Sequence, residues 1–133
     1  MRIFRNQWIT KFAKKHKSSD SELIEAVERA DDGLIDADLG GGVIKQRIAR
    51  QGQGRSGGYR SLIFFRHGER AFFMTAFAKN DRENITDKEL AELKKAAAII
   101  LAMTETDIEQ AKSNGTSRRY SHEIQKRDFR SNT

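Results

Sequence analysis

Apolar residues recur with a helical period towards both ends of the chain and with a strand period in its middle. Trp8, Ile9, Phe12 and Ala13 fall at i, i+1, i+4 and i+5, which gives one apolar face to a helix over Asn6 to Lys17. Met1 to Arg5, ahead of it, has room for no more than an edge strand. Ser19 and Glu22 form an S-x-x-E capping box, with Leu23, Ile24 and Val27 as the buried stripe of a second helix that stops near Gly33. From Val43 the period changes to two. Ile44 and Ile48 alternate with Lys45 and Arg47, which sets the two cations on the face opposite the isoleucines.

The run QGQGRSGG interrupts that strand, and YRSLIFF, from Tyr59, resumes as one that is apolar on both faces, as a central strand is. Arg66-His67-Gly68-Glu69 reads as a tight hairpin returning through RAFFMTAFAK, so three consecutive strands form an antiparallel meander. Thr86 and Glu89 make a second capping box, followed at helical spacing by Leu90, Leu93, Ala97, Ile100 and Leu101. Thr106-x-x-Glu109 opens a short fourth helix running to Gly115. Residues 116–133, TSRRYSHEIQKRDFRSNT, are polar and basic with few apolar anchors, and read as a tail or as a segment that orders on a partner. The expected organisation is a single domain over 1–115 followed by that tail. Its fold class is α+β: two N-terminal helices packed on an antiparallel sheet of three to four strands, then a C-terminal helix.

Composition narrows the chemistry. At 133 residues, 37% hydrophobic with eight Phe, the chain supports one modest core. Its apolar run Ala96 to Met103 falls well short of the ~20 residues of a spanning helix, and the N-terminus lacks the apolar stretch of a signal peptide. With no Cys and three widely separated His, neither a disulfide, a thiol nucleophile nor a transition-metal site is expected, and no cofactor is implied. A reducing cytoplasm agrees with that composition.

Charge points to a polyanion. The net charge is +6, but its distribution says more. Lys45, Arg47, Arg50, Arg55, Arg60, Arg66 and Arg70 stand against Glu69 alone between Gly41 and Arg70, whereas Arg29 is the one cation among eight acids between Ser18 and Gly42. Cations gathered on one sheet face repel unless an anion joins them, which favours phosphate binding over an ordinary solvated strand face. The Gly-rich run is neither a Walker loop nor a dinucleotide fingerprint, since it joins two strands. It is a flexible hairpin loop or a wrap for a nucleic-acid backbone through Arg55. No Ser/His/Asp triad or carboxylate dyad can be assembled, so any acid–base chemistry leans on Lys, Arg or Tyr. Clustered cations suit cleavage of RNA by its own 2′-OH, where a pentavalent phosphate must be stabilised and its leaving oxygen neutralised.

The residues GGVIKQRIARQGQGRSGGYRSLIFFRHGERAFFMTAFAKNDRENI resemble the RelE/HigB group of bacterial type II toxin–antitoxin toxins, closest to its HigB-like branch. The matching motifs are IKxRIAR, GQGxSGGYR, an F-R-x-G-x-R hairpin and FAKxxRxNI, and the resemblance spans about Met1 to Met103. It implies a RelE-like, microbial-ribonuclease-type fold, cleavage of mRNA in the ribosomal A site in the cytoplasm, and a cognate antitoxin, expected to be of helix-turn-helix type. Carried over by position, Arg60 matches the phosphate-stabilising arginine, Lys45 and Arg47 the paired basic strand residues, and Lys79 the cation after the last strand. Arg50, Arg55, Tyr59, Arg66 and Arg82 are the further candidates for RNA contact. The chain departs from RelE at Asn80 and Thr86, where an arginine and a tyrosine stand, so the general acid is unassigned. A non-enzymatic poison of DNA gyrase, as in ParE toxins of the same fold, and an RNA-binding module without catalysis are the rival readings.

Overall fold

In the computed structural model, which describes residues 1–50, 52, 54–78, 85–113 and 122–124, the elements run β1 (Arg2–Arg5), α1 (Gln7–Lys15), α2 (Asp20–Asp31), β2 (Ala37–Gly40), β3 (Val43–Arg50), β4 (Gly54–Arg66), β5 (Arg70–Ala78), α3 (Asp87–Leu101), α4 (Glu105–Ser113) and β6 (His122–Ile124). The β3–β4–β5 meander stands as the periodicity requires. The sheet built on it is mixed and six-stranded, in the order β2-β3-β4-β5-β1-β6, rather than antiparallel with three or four strands. β1 is no edge: it pairs parallel with β5 from Arg2↔Arg70 to Arg5↔Phe73, burying Ile3 and Phe4. β2 lies in the acidic stretch and pairs with β3 from Ala37↔Lys45. β6 comes from the expected tail, where Ile124 is buried opposite Ile3 and Glu123 binds the Arg2 guanidinium at 2.8 Å. Strand β4 also begins at Gly54, so most of the Gly-rich run is strand rather than interruption.

Local signals set the helix ends. Asn6 Oδ1 accepts the Ile9 N–H at 2.8 Å to open α1, and the Ser19 N–H donates to Glu22 Oε1 at 3.2 Å ahead of α2. Thr86 Oγ1 accepts the Glu89 N–H at 3.1 Å for α3. Helix α4 is capped by Thr104, not Thr106, because Asp107 supplies the reciprocal carboxylate: its N–H reaches Thr104 Oγ1, and its Oδ2 accepts the Thr104 N–H, both at 3.0 Å.

The sheet is covered on both faces. Against α1 and α2 it packs Ile3, Ile44, Ile48, Ile63 and Phe73; against α3 and α4 it packs Phe4, Val43, Phe64 and Phe72. Trp8 departs from the expected stripe. Ile9 and Ala13 are buried, but Trp8 is 50% exposed, one face laid on Phe12 at a ring separation of 5.2 Å. Among the described residues no helix is long and apolar enough to cross a membrane.

Candidate nucleic-acid interface

Register decides which side chains share the α3 face of the sheet. In β3 and β4, Val43↔Phe64, Lys45↔Leu62 and Arg47↔Arg60 are directly opposed, so all six project to one side. Between β4 and β5 the pairing runs Phe64↔Phe72 and then Leu62↔Thr75 and Arg60↔Phe77, with Met74 as an extra residue. That bulge inverts the alternation of β5 and turns Thr75 and Phe77 towards the cations. Two cross-strand rows result: Lys45–Leu62–Thr75 and Arg47–Arg60–Phe77. Adjacent strands lie about 4.8 Å apart, so three cations and an aromatic ring occupy one small patch beyond the part of the face that α3 covers.

The middle of KQR holds the patch in place. Gln46, fully buried, points the other way; its Oε1 accepts the Asp36 N–H at 2.6 Å and its Nε2 donates to the Ala26 and Leu34 carbonyls at 2.9 and 3.3 Å. Asp36 then accepts the Arg47 backbone N–H at 2.7 Å and its guanidinium at 3.3 Å, while Arg29 bridges Asp36 at 3.3 Å, Glu25 at 2.8 Å and the Arg47 carbonyl. Burial opposes the charge on Asp36, yet the Arg47 backbone N–H, with the Arg47 and Arg29 guanidinium groups, holds its carboxyl below the usual carboxylate range. Arg60 makes no ion pair with any described residue.

Other candidates lie elsewhere. Tyr59 projects to the α1 face, 2% exposed, with Phe12 edge-on at 5.0 Å, so it is a core residue and does not reach the cationic patch. Arg66 shares the face of Arg60 but stands six residues along β4, roughly 20 Å away, where its Nη1 donates to the Leu101 carbonyl at 2.8 Å and closes the end of α3. Arg70, counted in the basic stretch, is buried and bonded to the Met103 carbonyl and, at 3.0 Å, to Glu105. Arg50, half-buried, ends β3 opposite Gly54 beside the patch. Lys79, Arg82 and the Arg55 side chain lie outside the described residues.

Sequence reasoning missed the groove beside the cations. It has a volume of about 630 Å³ and is lined by Trp8, Leu62, Thr75, Phe77, Ile85 and Leu93, with Lys88 and Glu92 of α3 at its rim. Because β1 leaves β5 at Phe73, the Thr75–Ala78 end of β5 has α1 rather than a strand beside it, and Trp8 enters there. The sequence carries no local signal for it, since Trp8 falls within the apolar helix face together with Ile9, Phe12 and Ala13 and only the structure shows it exposed.

The sequence model of the family described as the RelE toxin of the RelE/RelB toxin–antitoxin system matches residues 1–118 of the chain. No curated protein matches it.

Proposed function

The chain belongs to the RelE toxin family, the toxins of toxin–antitoxin systems, each neutralised by a cognate antitoxin, and from that premise we propose a metal-independent, ribosome-dependent mRNA endoribonuclease. The observation that carries the reading is the placing of Lys45, Arg47 and Arg60 at adjacent register positions on one open sheet face. In the proposed reaction the substrate's 2′-oxygen bonds to the adjacent phosphorus while the P–O5′ bond breaks. The products are a 2′,3′-cyclic phosphate and a 5′-hydroxyl, and the 2′ proton is lost as the leaving oxygen gains one. Arg60 stabilises the pentavalent phosphate, Lys45 and Arg47 lower the cost of ionising the 2′-OH and hold neighbouring phosphates, and Lys79 assists the leaving oxygen. Arg50 and Arg55 extend phosphate binding along the hairpin, with Arg82 beyond β5. The GQGRSGGYR run supports the HigB-like branch, and with it a helix-turn-helix antitoxin and a cytoplasmic site of action.

Primer extension on mRNA from cells expressing the protein tests this reading. Discrete in-frame cuts are expected, and Arg60→Ala, with its fold verified by circular dichroism, should lose them by about 10²–10³-fold, the cost of removing one preorganised transition-state donor. Intact mRNA together with inhibited DNA supercoiling would transfer the protein to the gyrase-poison reading. Intact mRNA with retained RNA binding would make it a binding module. No histidine or carboxylate base stands in the two cross-strand rows, so alignment of the 2′-OH falls to the ribosome, and the purified protein should cut naked RNA poorly.

A further inference from the structure

Trp8 is a large apolar side chain that the core does not use. Three further rings stand behind it: Phe12 stacks on Trp8 at 5.2 Å and 20°, His16 stacks on Phe12 at 4.2 Å, and Tyr59 meets Phe12 edge-on at 5.0 Å. The series begins in the core at Tyr59 and ends at Trp8, half-exposed on the wall of the groove. The groove floor is Leu62, Thr75 and Phe77, the β4–β5 members of the same two rows whose β3–β4 members are Lys45, Arg47 and Arg60. One end of the site is therefore cationic and the other an apolar slot with an aromatic wall.

We propose that this groove is a nucleobase subsite, in which a base of single-stranded RNA stacks between Trp8 and Phe77 while its own phosphate lies on Arg60. The proposal rests on the RNA reading of the cationic patch. The spacing fits: Phe77 is the cross-strand neighbour of Arg60, one strand away, and a ribose bridges a phosphate and its base over a comparable span. The charge pattern fits as well. A nucleotide is anionic at one end and flat and apolar at the other, with N–H donors and acceptors on its edge, and the groove offers Glu92 and Lys88 at its rim to meet them. An apolar peptide side chain would fill the slot but would offer no anion to Arg60, which makes no ion pair with any described residue.

The test uses the full chain and 2′-O-methyl oligonucleotides, which cannot be cleaved by 2′-OH attack, with an abasic oligomer of the same length as control. Trp8 is the only tryptophan, so its emission reports the groove directly. The base-bearing oligonucleotide should quench it and the abasic one should not. By anisotropy of labelled oligomers, Trp8→Ala should weaken base-bearing RNA by roughly 5- to 150-fold, the range of one base–aromatic stack, and leave abasic binding unchanged. Trp8→Phe should restore much of the loss, and Phe77→Leu should share it. Equal loss for both oligomers would mark Trp8 as merely structural and overturn the proposal. So would unchanged emission, or quenching by the antitoxin alone, which would make the groove a protein-docking surface. Wild-type cutting by Trp8→Ala on ribosomes would remove the subsite and leave the ribonuclease reading standing; base-dependent quenching without any mRNA cutting would do the reverse.

Discussion

An ideal Cβ built at Gly58 would overlap the Ile48 carbonyl oxygen and lie 2.9 Å from its carbon and 3.2 Å from Ala49 Cα, so only glycine lets β4 approach β3 there. Gly58→Ala must push the strands apart two residues from Arg60, and urea unfolding should show a loss of about 1–3 kcal/mol. Next along the strand, burial pushes the Tyr59 hydroxyl up to about 12, with Ser18 lowering it and Glu22 raising it by less. The folded value exceeds the unfolded one of 10.0, so the unfolded chain ionises first. Stability is complete below about pH 10 and is lost as pH rises to about 12, by on the order of 2 kcal/mol. Tyr59→Phe should flatten that alkaline decline in a pH series of urea midpoints while leaving the midpoint at neutral pH nearly unchanged. A Tyr59 set beside Arg60 in sequence reads as a site residue, and strand alternation alone puts it on the other face. The same alternation correctly placed Lys45 and Arg47 opposite Ile44 and Ile48. Legibility thus extended to each strand's own pattern and stopped where a neighbouring element had to be known.

At the scale of elements, the capping boxes of α2 and α3 and the β3–β4–β5 meander were legible because their signals are local. The β5 bulge was not. A run as uniformly apolar as RAFFMTAF gives no cue to which residue is extra, yet the bulge decides that Thr75 and Phe77 share the face of the cations while Ala76 enters the opposite core. Strands β2 and β6 were illegible for another reason: each is short and polar, and each exists through its partner, β3 or β1. The segment leading into β2 also carries Asp36, whose carboxylate joins Arg29 on α2 to Arg47 on β3. Its folded pKa lies below its unfolded 3.8, so its contribution is present above that pH and is lost as pH falls through the folded value. Asp36→Asn should remove that acid-side dependence from thermal melts. It should also loosen Arg47, lowering the mRNA cutting rate more than the affinity for RNA if Arg47 acts at the reacting phosphate, since positioning is felt chiefly in the transition state.

Across the whole molecule, the acids of α2 and β2 and the cations of β3 and β4 remain distinct along the chain, and the three cations of the patch share one sheet face. The last residues add Lys126, Arg127 and Arg130, while just ahead of them β6 closes the sheet. Two roles are therefore joined in the segment that composition alone makes a tail, and two truncations separate them. Glu123 foremost, with Glu109 and Glu105, raises the Arg2 guanidinium above its ordinary value against the cost of burying it, and Ile124 is 4% exposed. Removing residues 114–133 strips Ile124 from the core and takes from Arg2 the most buried of its three carboxylates, the one that accepts from both Nε and Nη2, so the thermal midpoint should fall clearly. Removing residues 125–133 keeps β6 and should leave that midpoint in place. If the terminal cations meet ribosomal RNA phosphates, this shorter truncation flattens the salt dependence of ribosome binding by about 0.9 in log–log slope for each duplex phosphate no longer neutralised, and leaves antitoxin affinity unchanged. An unchanged slope with weakened antitoxin binding would move those cations from the ribosomal interface to the neutralising one.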